Sequence, residues 1–227
     1  TGKEISQKPF LDRLVALGVN FKHVLELEEE FKNSSIIFEG AQGILLSLTD
    51  GTYPYVTCSD PCVSGIYSSG FNFIKLDKVY GVAKVYNTKV GNGVFPGELV
   101  GEEADKLREL AGEYGVVSKR PRRIGVLDLP ALNYAVKKGG ITHLIVAKFD
   151  ILEGCESIKV CKEYDKVPVC PDDFFNCVPV ISEVPGWKDS HNLSQVQHYI
   201  EMIEQATNIP VEYISCGVED KDFIKIK

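Results

Sequence analysis

Thr142-His143-Leu144-Ile145-Val146-Ala147-Lys148-Phe149-Asp150 is the stretch on which the fold turns. Residues 142–147 read as a buried strand. Lys148-Phe149-Asp150 then sets two charges at its C-terminal end, the edge at which α/β sheets hold their ligands. Working upstream, Asp128–Lys137 reads as a helix. Residues 101–114 read as a charged amphipathic helix with Ala104, Leu107, Leu110 and Ala111 on one face. Val79–Tyr86 reads as a strand and Ser35–Phe38 as a short buried one. Residues 9–32 have a helical pattern broken near Gly18. Downstream, Ser157–Tyr164 alternates as a strand should, 193–207 is a helix, and 210–215 is the last strand, ending at Cys216-Gly217. A Pro- and Cys-bearing excursion occupies about 165–192. Alternating strands and helices predict an α/β fold, with a largely parallel central sheet flanked by helices and one domain over 1–227.

The composition fits a soluble globular protein: 227 residues, 44% hydrophobic and 25% charged. A net charge of −7 argues against nucleic acid as a partner, so an anionic ligand needs a local basic pocket. Three of the five arginines, Arg120, Arg122 and Arg123, fall within four residues beside Lys119. Guanidinium forks suit carboxylate and phosphate better than lysine does. Seven cysteines without a CxxC pair, and four histidines without ligand spacing, predict neither a zinc site nor a disulfide framework. Reduced thiols in a cytoplasmic protein are the simplest account. No signal peptide and no apolar run of membrane-spanning length is visible.

Glycine-rich loops are common, but the order of motifs here is specific. Phe38-Glu39-Gly40-Ala41-Gln42-Gly43 is followed by Asp50-Gly51-Thr52-Tyr53-Pro54-Tyr55-Val56-Thr57 and by Val90-Gly91-Asn92-Gly93-Val94-Phe95-Pro96-Gly97-Glu98-Leu99. Arg120-Pro121-Arg122-Arg123-Ile124-Gly125-Val126-Leu127-Asp128 and Lys148-Phe149-Asp150-Ile151-Leu152 complete the series. From about residue 35 to its end the chain resembles the C-terminal portion of the adenylosuccinate synthetases, including their phage 2-aminoadenylosuccinate synthetase paralogues. The resemblance implies a ligase that phosphorylates the 6-oxygen of a purine nucleotide and displaces phosphate with the amine of L-aspartate. GTP is the donor, Mg2+ the cofactor, IMP the acceptor, and the enzyme a cytoplasmic homodimer. The phage alternative implies dGMP as acceptor, ATP or dATP as possible donor, and the host cytoplasm.

By resemblance, Gln42 lies at the reacting 6-position as the catalytic residue, where an amide can address oxygen and ring nitrogen together. Thr57 holds the acceptor 5′-phosphate, Gly91 and Gly93 approach its ribose, and Arg120 lies near it. Ser118, Arg120 and Arg122 take the carboxylates of aspartate, and Arg123 supports them. Arg122, Lys148, Asp150, Ser215 and Gly217 form the GTP site. Asp150 can accept from guanine N1–H and its exocyclic amine at once. The chain departs from the family at Lys119, where a glycine is usual and a positive φ would strain lysine. It departs again at Val126 for tryptophan, Val218 for proline and Gly97 for threonine. Neither the family's Gly-Asp-Glu-Gly-Lys-type phosphate loop nor its histidine is present, and Thr1-Gly2-Lys3-Glu4 is no substitute. The chain therefore reads as a fragment, a catalytically incomplete nucleotide-binding piece, with the metal ligands expected upstream of Thr1.

Overall fold

The computed structural model describes residues 8–20, 22–32 and 34–227. The Thr1–Glu4 stretch lies outside them. The chain forms two compact units, residues 1–39 with 66–74, and 40–65 with 75–227. In the first, α1 (Lys8–Ala16) and α2 (Leu27–Phe31) carry no buried residue. The helical pattern of 9–32 breaks as expected at Gly18, whose φ of +81° is left-handed. An aromatic cluster of Phe31, Phe38 and Phe73 gathers around Phe71, with ring centroids 5.2–6.2 Å apart. Residues 35–38 form no strand and pair with none among the described residues, contrary to the expected buried strand. Ser35 and Ile37 are exposed, so the segment is not the buried one expected.

The α/β class of the larger unit is as the alternation predicts, with its strands divided between two sheets. β1 (Tyr80–Lys84), β5 (His143–Ala147) and β8 (Val211–Ser215) run parallel, and β9 (Phe223–Lys225) closes that sheet antiparallel to β8. The second sheet is mixed. It orders β2 (Tyr86–Lys89), β4 (Arg123–Asp128), β6 (Ser157–Tyr164) and β7 (Pro179–Pro185), with β3 (Glu98–Leu99) also on β4. The single strand expected over 79–86 is split at Val85, whose N–H still bonds Ala147 O (3.1 Å) while Tyr86 pairs with Val126. β7 corrects the irregular excursion. Its two prolines sit at the ends of an edge strand, where a missing N–H costs least.

The short α3 (Ser64–Ser68) precedes β1, and α4 (Glu102–Ala111) lies between β3 and β4. α5 (Leu129–Gly139) starts where the Asp128 carboxylate accepts from Ala131 N–H (3.0 Å), and it stops at left-handed Gly140. α6 (Leu193–Thr207) buries Val196, Tyr199, Ile200, Ile203 and Thr207, the i, i+3, i+4, i+7 stripe of a core-facing helix. These packed faces join Leu144, Val146, Val211 and Ile214 in one core. The core fixes the C-terminal edge of the parallel strands. Among the described residues no helix is long and apolar enough to cross a membrane.

Candidate functional site

Parallel pairing collects the first half of the site. Lys84 is in register with Ala147, and Val146 with Ile214, so β1, β5 and β8 end at one edge. The residues that follow β5 and β8 are Lys148-Phe149-Asp150 and Cys216-Gly217. Phe149 is wholly buried against Trp187 and Tyr199, and its carbonyl accepts from Trp187 Nε1 (2.9 Å). Pinned at its centre, the triplet takes a left-handed turn at Lys148 (φ +73°). Asp150 Oδ1 is buried and has no hydrogen-bond partner among the described residues. A buried unpaired acceptor is costly, and one at a strand end is a place for a donor from a ligand.

The β8 loop stands beside it. Ser215 Oγ donates to Gly217 O (2.9 Å), and a side chain at Gly217 would come within 2.3 Å of Asp222 Oδ2. Asp222 ties the loop down, accepting from Glu219 N–H (3.0 Å) and pairing with His191 (3.3 Å). Backbone hydrogen bonding from Glu219, and His191 beside it, hold its carboxyl below the usual range. An open depression of about 400 Å³ is lined by Ser215, Gly217, Val218, Glu219, Asp220 and Phe223. Burial pushes the Cys216 thiol up to about 11, with the Asp150 charge adding to it.

The second half is assembled by the β2–β4 hairpin register, in which Lys89 faces Arg123. Arg123 pairs with Glu98, donates to Gly93 O (2.8 Å) and Gly91 O (3.2 Å), and stacks over Phe95 (5.5 Å). These contacts clamp the glycine loop. Gly91 and Gly93 are left-handed (φ +75° and +97°), and a Cβ at Gly93 would meet the Tyr55 ring at 2.6 Å. This contact seats the 50–57 loop, which Tyr134 also anchors through Asp50 O (3.0 Å). Thr57, half-buried, donates its N–H to Leu46 O (2.8 Å). Gln42 is exposed and left-handed (φ +72°), and its Oε1 accepts from Ser59 Oγ (3.0 Å).

In the arginine loop, Lys119 is left-handed at φ +53°, the strained backbone that a glycine would relieve. Ser118 Oγ accepts a long bond from Arg120 N–H (3.4 Å), and the Arg120 side chain is exposed. Arg122 Nη1 donates to Glu113 Oε2 (2.7 Å), while its buried Nε has no partner among the described residues. Two of the departures, Gly97 and Val126, touch: a Cβ at Gly97 would lie 3.0 Å from Val126 Cγ2.

Sequence reading does not find Glu113, Ser59 or Asp222. Only Glu113 gives a signal, an acid just past the C-terminus of α4, where the helix dipole favours a cation. No hydrogen bond or ion pair among the described residues joins Gln42 or Thr57 to Arg122 or Asp150. The Tyr55–Gly93 contact and the Arg123 clamp join the 50–57 loop to the arginine loop.

The sequence profile of adenylosuccinate synthetase matches residues 6–224. The chain belongs to the adenylosuccinate synthetase family. It is 43% identical over 217 residues to adenylosuccinate synthetase of Petrotoga mobilis, covering 93% of this chain and 51% of that protein. It is 42% identical over 205 residues to that of Thermotoga maritima, covering 89% and 51%. The chain therefore spans about half the length of the curated relatives it matches. The fully ligated adenylosuccinate synthetase of Plasmodium falciparum superposes with a TM-score of 0.76 at 34% identity, over 83% of this chain and 49% of that one. Cyanophage S-2L succinoaminodeoxyadenylate synthetase, solved bound to dGMP and dATP, shares the fold: TM-score 0.57, 20% identity, 88% and 49% covered.

Proposed function

We propose that the protein carrying this chain ligates L-aspartate to the 6-position of IMP at the expense of GTP, giving adenylosuccinate, and that this chain supplies the base, ribose and carboxylate contacts. The observation that carries the reading is Asp150 Oδ1, buried and unpaired at the end of β5 beside the Ser215–Gly217 loop. A guanine base offers the adjacent N1–H and amine donors that a carboxylate at such a place needs, and adenine does not. Lys148 lies over the base and Gly217 admits it closely.

Gln42, held by Ser59, addresses O6 and N1 of the acceptor. Thr57 binds its phosphate, and Gly91 and Gly93 let its ribose approach the backbone. Arg120, Arg122 and Ser118 hold the two carboxylates of aspartate, so its amine is presented to C6. Positioning of this kind accounts for much of the rate in phosphoryl and acyl-type transfers. The γ-phosphoryl group passes to O6, the amine forms the C6–N bond, and inorganic phosphate leaves with O6.

Magnesium, which the family implies, would supply charge neutralisation on the phosphates. The described residues gather no group of three or more His, Cys, Asp or Glu able to hold it, so no step is assigned to it here. We place the protein in the cytoplasm, as a homodimer; the free state of all seven cysteines agrees with a reducing compartment.

A second reading, amination of dGMP, draws on the departure at Lys119. Phosphate release from GTP or ATP by the full-length protein, with aspartate and either IMP or dGMP, tests both. Release requiring IMP supports the first reading, release requiring dGMP the second, and no acceptor-dependent release removes both.

A further inference from the structure

Glu113 is a buried carboxylate, with only 3% of its side chain exposed, on which three donors converge from separate parts of the chain. Lys84 Nζ (2.6 Å) and Tyr86 OH (2.8 Å) reach Oε1, and Arg122 Nη1 (2.7 Å) reaches Oε2. Lys84 and Tyr86 flank Val85, where the chain passes from β1 to β2. Separated by two positions, they share one face of an extended chain. The Arg122 N–H also donates to Glu113 O (2.9 Å), so backbone and side chain of the arginine are tied to one residue. One negative charge set against two positive ones leaves a net cationic centre. Burial pushes the Glu113 carboxyl up, but the bonds from Lys84, Tyr86 and Arg122 outweigh it and the net direction is down. The residue is therefore ionised at neutral pH.

We infer that Glu113 is the positioning residue of the arginine loop: its carboxylate fixes the Arg122 guanidinium from one side and leaves the Nε edge, buried and unpaired, for a substrate carboxylate. This rests on the proposed role of Arg122 in holding aspartate. A guanidinium free to rotate loses the fork geometry that makes it selective for carboxylates. Lys84, held on the same carboxylate, adds a second fixed positive charge behind the loop.

The test is steady-state kinetics of the full-length protein carrying Glu113→Gln, Arg122→Leu and the pair together. Glu113→Gln keeps the shape and removes the charge. The expected result is an aspartate KM raised by roughly tenfold to a hundredfold, with the IMP KM near wild type. The double variant should be no worse than Arg122→Leu alone, since both act on one group. If Arg122→Leu raises the aspartate KM and Glu113→Gln does not, the positioning role is overturned and the site reading stands. If Arg122→Leu leaves the aspartate KM unchanged, the site reading itself fails. Should Glu113→Gln fail to fold, Glu113→Asp keeps the charge and shortens its reach. It should raise the aspartate KM selectively, and a parallel rise in the IMP KM would mark Glu113 as merely structural and overturn the proposal.

Discussion

Asp150→Asn exchanges one carboxylate oxygen for an amide donor without changing the shape of the side chain. Asp150 Oδ1 is buried with no partner among the described residues, so removal of the charge takes no hydrogen bond away from the fold. The amide leaves a polar atom at the same buried place, so the variant should match the wild type in stability. With GTP bound, the carboxylate is expected to accept from N1–H and the exocyclic amine. Asparagine can accept only one of these and turns a donor towards the other. Loss of one charge-assisted hydrogen bond, ~1.5–3 kcal/mol, corresponds to a Kd raised roughly 10- to 100-fold. The same amide suits xanthine, whose 2-oxo group accepts where guanine donates. Titration of wild-type and variant protein with GTP, ATP and XTP measures all three. The expected pattern is weaker GTP, nearly unchanged ATP and stronger XTP. Equal weakening of GTP and ATP, or no gain for XTP, would refute the assignment of Asp150 to guanine.

Gln42→Ala removes the amide that Ser59 orients and should lower kcat by on the order of 100-fold, with the acceptor KM near wild type; a pure KM effect in steady-state assays would reduce Gln42 to binding. Lys119→Gly relieves a left-handed backbone and should stabilise the protein by about 1 kcal/mol, raising Tm by roughly 2–4 °C; a lower Tm by calorimetry would mean that the lysine side chain compensates. The Glu113 carboxyl is held below its ordinary value of 4.5, so its contribution to stability is fully present above that pH and is lost as the pH falls through the depressed value. Acid unfolding followed by circular dichroism should therefore be less steep in Glu113→Gln below pH 4.5 than in the wild type, and superimposable acid limbs would contradict the ionised cluster.

The fold was legible wherever local pattern and tertiary role agree. β6 and α6 have the bounds that alternation and helical spacing give, because their buried faces are periodic. β7 was missed because Pro179 and Pro185 signal a loop, yet both stand at the ends of an edge strand. Residues 35–38 are apolar enough for a strand but gain no partner, and pairing is not a local property. Lys148-Phe149-Asp150 and Cys216-Gly217 fall at the strand ends that the reading places them on, whereas Gln42 follows no strand among the described residues. Lys148 and Gln42 are left-handed, as strained functional backbones often are. Glu113 offers the sequence only its place past the end of α4, because its partners, Lys84, Tyr86 and Arg122, lie 29, 27 and 9 residues away. The sequence order of the motifs revealed the family; the ion cluster at Glu113 appears only in three dimensions.

The central claim is that oxygen leaves the purine 6-position as phosphate while aspartate takes its place. Full-length protein given GTP, aspartate and IMP labelled with heavy oxygen at the 6-position tests it directly, with the isotope followed by mass spectrometry. The account predicts label in inorganic phosphate, one atom for each adenylosuccinate formed. Label retained in the nucleotide product, or phosphate released unlabelled, would contradict it.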